Sequence, residues 1–221
     1  MNDNTRGMWG PPAPTGPARR GRLAGPLLAA SALTMGLMAG LFFAFDVSVM
    51  PGLARSDAAT YVQAMQNFNA VIDGSGLFGL IFVGALLTAG VAAFYEYRQG
   101  RRSVAGWVIA ATACYVVVLI LTVGVNIPLN DQLARVDNAD KAHVLSAISD
   151  FKGTWETANI ARTLLCTAAL GLLTRALILY GRATSYVARV EPREQFNTSP
   201  HRPIPALSTG MGRLLPRTQH T

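Results

Sequence analysis

Trp155, Asn159, Arg162 and Cys166 recur three or four residues apart, so one face of a helix would carry all four. Arg162 stands within an apolar stretch, where an ionisable side chain is costly unless it finds a partner. A second apolar stretch ends at Asp46, and a third ends with Asn126, Pro128 and Asn130. A guanidinium, a carboxylate and several amides gathered at one depth can bind the oxygen atoms of a ligand. The same groups can instead tie helix ends together, with Asp46 and Arg162 as an ion pair and Asn126 and Asn130 serving carbonyls that Pro128 leaves free. Both readings stand on the residues alone.

Other chemistries find little support. There is no Walker loop, no dinucleotide-binding glycine pattern with its strand, and no H-E-x-x-H. His143, His201 and His220 are scattered, which argues against a histidine-built metal centre. Haem or di-iron chemistry within a helical bundle needs His or Glu on facing helices, and the apolar stretches are read as having none. No metal and no cofactor is expected.

The elements that must position these residues follow from the distribution of charge. Of 221 residues, 51% are hydrophobic and only 14% charged, against about a quarter charged in an ordinary soluble domain. No charge occurs from Leu23 to Phe45, Gly74 to Tyr95 or Ser103 to Asn130, and Thr157 to Gly181 is interrupted only by Arg162 and Arg175. Crossing the hydrocarbon core takes about 20 helical residues. The expectation is an all-α four-helix transmembrane bundle with spans at about 24–47, 74–96, 104–127 and 157–181. The first span, twice the length of a signal-peptide core, reads as a retained helix.

The net charge of +7 is a topology signal rather than a nucleic-acid footprint. Arg6, Arg19, Arg20 and Arg22 precede the first span, Arg98, Arg101 and Arg102 link the second and third, and six arginines follow the fourth. The two remaining loops dilute their basic residues with Asp and Glu. A multi-pass protein of the cell membrane with both termini cytoplasmic is expected, with the lipid bilayer as its partner. Domain organisation reads as a disordered tail at 1–22, a transmembrane domain at 23–186 and a second disordered tail at 187–221.

Both outer loops carry short amphipathic helices. Ser56 can cap one whose apolar face is Tyr61, Met65, Phe68 and Ile72. The other would start at Asn138, carry Leu145, Ile148 and Phe151, and break at Gly153. Such faces can rest on the membrane surface or pack against the bundle, and packing is the plainer reading. Gly36 and Gly40, with Gly76, Gly79, Gly84 and Gly90, suggest close helix approach. Cys114 and Cys166 fall at different depths and read as packing residues.

Three stretches carry a resemblance. LFFAFDVSVMPGL (Leu41 to Leu53), NIPLND (Asn126 to Asp131) and WETANIART (Trp155 to Thr163) together resemble a family of small four-helix membrane proteins that includes the anthrone oxygenases. The resemblance covers roughly Leu23 to Tyr180, and its pattern lands on Pro51, Asn126, Pro128, Asn130, Trp155, Asn159 and Arg162. Asp46 departs from it, where a small polar residue such as Ser is implied.

An anthrone that loses a proton becomes an enolate rich enough in electrons to react with dioxygen directly. The resemblance therefore implies a cofactor-independent oxygenase of a small aromatic substrate, with Arg162, Asn126 and Asn159 donating to the oxyanion. Asp46 would accept the proton, Trp155 would stack on the ring, and Asn130 would complete the ligand site. The alternative is a non-catalytic scaffold or a binder of lipid or small molecules that uses the same pocket. A transporter fits less well, because no inverted repeat is present and no charge sits at the midplane. The arginine distribution makes a direct prediction: cysteines introduced in the 51–73 and 126–156 loops react with a membrane-impermeant reagent in intact cells. Labelling only after lysis would invert the topology.

Overall fold

The computed structural model describes residues 23–137 and 141–197, with side chains described for 23–137 and 142–185. The chain divides into two units, Met1–Ala183 and Thr184–Thr221; in the second, residues 184–197 are helical. The expected tails at 1–22 and beyond 197 lie outside the described residues.

Among the described residues four helices are long and apolar enough to cross a membrane: Ala24–Leu53, Gly76–Arg98, Arg102–Ala134 and Ala142–Ser185. A further helix, Ala58–Asp73, fills the loop between the first two. The bundle is all-α, and the described residues contain no strand.

The first and third spans run past their expected ends at 47 and 127. Pro51 and Pro128 do not stop them, because each proline follows a single π-helical turn, Phe45–Val49 and Thr122–Asn126. A proline ring collides with the carbonyl four residues back and offers no N–H in return. Widening the preceding turn moves that carbonyl aside and lets the helix continue. The fourth helix, Lys141–Asn197, also passes through Gly153 and beyond the expected tail boundary at 187. A mid-helix glycine costs only about 1 kcal/mol, which the packing of Val144, Phe151 and Trp155 outweighs.

Two apolar clusters hold the fold. The central one joins Leu28, Met35 and Phe42 of the first span to Ala85, Ala89 and Ala92 of the second, Val108, Ala111 and Tyr115 of the third, and Cys166, Ala169 and Leu173 of the fourth. Close contact is made at alanines, not at the expected glycines. A Cβ added to Gly40, Gly76, Gly79, Gly84 or Gly90 would meet nothing within 4 Å, and at Gly36 it would reach only the Leu170 side chain at 3.8 Å. Tyr115 Oη donates to the Phe82 carbonyl (2.9 Å) and ties the second and third spans together.

The second cluster closes one end of the bundle. Tyr61, Val62 and Met65 of the loop helix pack on Phe45, Met50, Leu133, Val136, Val144, Phe151 and Trp155. The loop helix thus packs as expected, although Phe68 is exposed and Val62 takes its place. Asp57 is the cap instead of Ser56: its carboxylate accepts from the Thr60 N–H (3.0 Å) and hydroxyl (2.6 Å), which holds its pKa below the ordinary value. Ser56 is occupied in closing the preceding helix, donating to the Leu53 carbonyl (2.7 Å). Gln66 Nε2 donates to the carbonyls of Leu133 (2.9 Å) and Val136 (3.2 Å), serving acceptors that a helix end leaves open. In the second loop the buried face is Val144 and Phe151, while Leu145 points outward; Asn138 lies outside the described residues.

At the opposite end one acidic residue does lie inside a span. Glu96 is fully buried and bidentately paired with Arg101, whose guanidinium stacks over Tyr180 at 5.3 Å. The turn between them uses Gly100 at φ 76°, a left-handed conformation that side chains disfavour, and Arg101 N–H closes back on the Glu96 carbonyl (3.1 Å).

Alanine packing yields a test. Ala89→Leu forces bulk into a fully buried contact and should cost roughly 1–3 kcal/mol, seen as a lower unfolding midpoint in detergent. Gly40→Leu should leave that midpoint unchanged. Equal losses for both variants would contradict the assignment of the contact to alanine.

Candidate functional site

The closed end of the bundle holds a cavity of about 180 Å³. Its apolar wall is Leu41, Phe42, Phe45, Ile72, Phe78, Phe82, Ile127 and Trp155; its polar wall is Asn69, Asp73, Thr122, Asn126, Asn130, Asn159 and Arg162. Every span contributes, and so does the loop helix.

Arg162 is the centre of the polar wall. Only 6% exposed, it lies in the interior, where the sequence reading expected it. Its NH2 donates to Asn159 Oδ1 (2.7 Å) and its NH1 to Thr122 Oγ1 (3.3 Å). The guanidinium lies over the Phe42 ring at 4.3 Å and near the Trp155 ring at 5.7 Å. These faces attract a cation that water cannot reach.

Asp46 and Arg162 do not touch. Asn159 stands between them, donating from Nδ2 to Asp46 Oδ1 (2.5 Å) and to the Phe42 carbonyl (2.9 Å) while its Oδ1 accepts from Arg162. Thr163 Oγ1 donates to the other carboxylate oxygen (2.5 Å). The expected ion pair is therefore a three-residue chain: carboxylate, amide, guanidinium. Asp46 also faces away from the cavity. It lines a separate groove of about 210 Å³ with Met50, Pro51, Lys152 and Glu156.

Asn126 and Asn130 serve Trp155 rather than the carbonyls near Pro128. Asn126 Nδ2 reaches the Trp155 carbonyl (3.5 Å), and Trp155 Nε1 donates to Asn130 Oδ1 (2.8 Å). The indole is held further by stacking on Phe151 (5.8 Å) and by a tilted contact with Phe45 (5.7 Å). Both π-helical turns feed the site directly. One carries Phe45 and Asp46, the other Thr122 and Asn126.

Three cavity-lining residues each carry a buried atom with no hydrogen-bond partner: Arg162 Nε, Asn126 Oδ1 and Asn69 Nδ2. Buried polar groups are nearly always paired, and leaving one unpaired costs about 1–3 kcal/mol. Two donors and one acceptor on cavity-lining residues are thus left without a partner. Asn69 and Asp73, one turn apart on the loop helix, were absent from the sequence-based site. The i, i+4 spacing of two polar residues on an apolar face was the available signal. Among the described residues no group of His, Cys, Asp and Glu is arranged to hold a metal.

Residues 69–172 match the family model for anthrone oxygenase. Over that segment, a little under half of the 221 residues, the chain is similar to the anthrone oxygenase family. The match is narrower than the stretch from Leu23 to Tyr180 that the resemblance suggested. It spans every polar residue lining the cavity and leaves out Asp46 with the rest of the first span. No curated protein and no solved structure matches the chain.

The amide chain yields a prediction. Asn159→Leu strips a partner from both Asp46 and Arg162 and should lower the unfolding midpoint in detergent far more than Thr163→Val, which leaves Arg162's partners in place. Equal effects would mean that the amide does not couple the two charges.

Proposed function

We propose that this membrane protein is an oxygenase of a small aromatic ketone that carries an acidic C–H, working without metal or organic cofactor. The observation that carries the reading is the set of three unpartnered polar atoms on residues that line a cavity walled by Phe42, Phe45, Phe78, Phe82 and Trp155. Arg162 Nε and Asn69 Nδ2 are donors that fit a carbonyl oxygen, and Asn126 Oδ1 is an acceptor that fits a phenolic hydroxyl. A cavity of roughly 150 Å³ holds a benzene ring. This one encloses a single ring, and a fused second or third would extend toward the exposed side, where Asp73 and Ile127 stand.

The chemistry suits these groups. Breaking one methylene C–H sends the electron pair onto the ketone oxygen, where a buried guanidinium and amides stabilise the enolate. The enolate carbon reduces dioxygen and, with one proton, becomes a hydroperoxide. Loss of water from that hydroperoxide leaves a second carbonyl, so a methylene and dioxygen become a ketone and water. Exclusion of bulk water strengthens each polar contact in the cavity. We also place both termini in the cytoplasm, on the arginine distribution, so that the cavity lies toward the outer surface.

Oxygen uptake by the purified chain with a dihydroxyanthrone is the direct test. Uptake should match quinone formed one to one and should fall at least about 100-fold in Arg162→Leu, with the protein still folded. A wild-type chain that binds the anthrone, detected by Trp155 fluorescence, yet consumes no oxygen would favour the binder reading instead.

A further inference from the structure

Proton removal needs an acceptor within the cavity, and the carboxylate that the sequence put forward is not there. Both Asp46 oxygens accept hydrogen bonds, from Asn159 and Thr163, and its open side faces the groove with Lys152 and Glu156. An amide between Asp46 and the cavity transmits orientation and charge but passes no proton at a useful rate. Of the fifteen residues lining the cavity, one is a carboxylate: Asp73.

We propose that Asp73 is the general base of the site and that Asp46 is a positioning residue that holds Arg162 through Asn159. The proposal rests on the oxygenase reading above. Asp73 is the last residue of the loop helix, whose Asn69 lies one turn earlier on the same face. Asn69 Nδ2 is one of the unpartnered donors, and Ile72 between them also lines the cavity. The loop helix therefore brings a donor and a base to the wall facing Arg162's helix. It is fixed there by Tyr61, Val62 and Met65 in the capping cluster and by the Gln66 bonds to the third span.

Exposure suits the role. A carboxylate at the cavity rim touches an enclosed substrate on one side and can release its proton to water on the other. In the step proposed, the methylene C–H breaks, its electron pair moves to the ketone oxygen beside Arg162, and the proton passes to an Asp73 oxygen. Water then takes the proton, and the carboxylate is restored.

The test separates this step from oxidation. The full chain in nanodiscs is mixed, under argon, with a dihydroxyanthrone deuterated at its methylene carbon, and loss of deuterium to solvent is followed by mass spectrometry. Wild-type protein should speed exchange well beyond the rate in protein-free nanodiscs. Asp73→Asn should slow the catalysed exchange by about 100-fold or more, with binding by Trp155 fluorescence unchanged, and Asp73→Glu should recover part of the rate. Asp46→Asn should weaken binding and should slow exchange at saturation far less than Asp73→Asn does. Asp73→Asn exchanging at the wild-type rate, or exchange lost at saturation in Asp46→Asn alone, would overturn the assignment, as would wild-type protein that binds the anthrone without accelerating exchange. Catalysed exchange with no oxygen uptake in air would instead sink the oxygenase reading and leave Asp73 as the base.

Discussion

A guanidinium buried among membrane-spanning helices constrains everything around it. Arg162 is only 6% exposed, and an unpaired cation in hydrocarbon is prohibitive. The fold answers with Asn159, Thr122, the faces of Phe42 and Trp155, and a carboxylate one amide away. Each comes from a different turn of the first, third or fourth span, so the charge sets how those spans must align. One donor, Nε, is left without a partner. The guanidinium thus has two hydrogen-bond acceptors and two ring faces, and the fold offsets most of the cost of burying it.

The two prolines make this alignment possible. Without the widened turns before Pro51 and Pro128, a regular helix would carry Asp46, Thr122 and Asn126 to other angles around their axes. The wide turns carry Asp46, Thr122 and Asn126 and keep both spans continuous into the capping cluster. Sequence, backbone and site are linked here by one local cause, the collision of a proline ring with the carbonyl behind it.

Much of this was readable from residue types. The four spans followed from where charge is missing, and Arg162, Asn126, Asn159 and Trp155 followed from helical spacing and a shared end. What escaped did so for physical reasons. The first and third spans were ended at about 47 and 127, short of Pro51 and Pro128, because the π-helical turn that carries a helix through a proline leaves no compositional trace. Asp46 and Arg162 were paired directly because depth alone was known, and depth does not reveal that Asn159 stands between them. Gly36 and Gly40 fit a contact motif, yet alanines at three- and four-residue spacing made the contacts. Asn69 and Asp73 were missed because their helix was read as a loop element and not as a wall of the cavity.

The central claim is that Arg162 and its amides polarise a substrate carbonyl in the cavity at the capped end of the bundle. Isotope-edited infrared difference spectroscopy addresses it directly, using a dihydroxyanthrone labelled at the ketone carbon and bound to the protein without oxygen. The account predicts a carbonyl stretch shifted to lower frequency on binding, with most of that shift lost in Arg162→Leu. A bound carbonyl whose stretch matches that of the same molecule in protein-free detergent would contradict it.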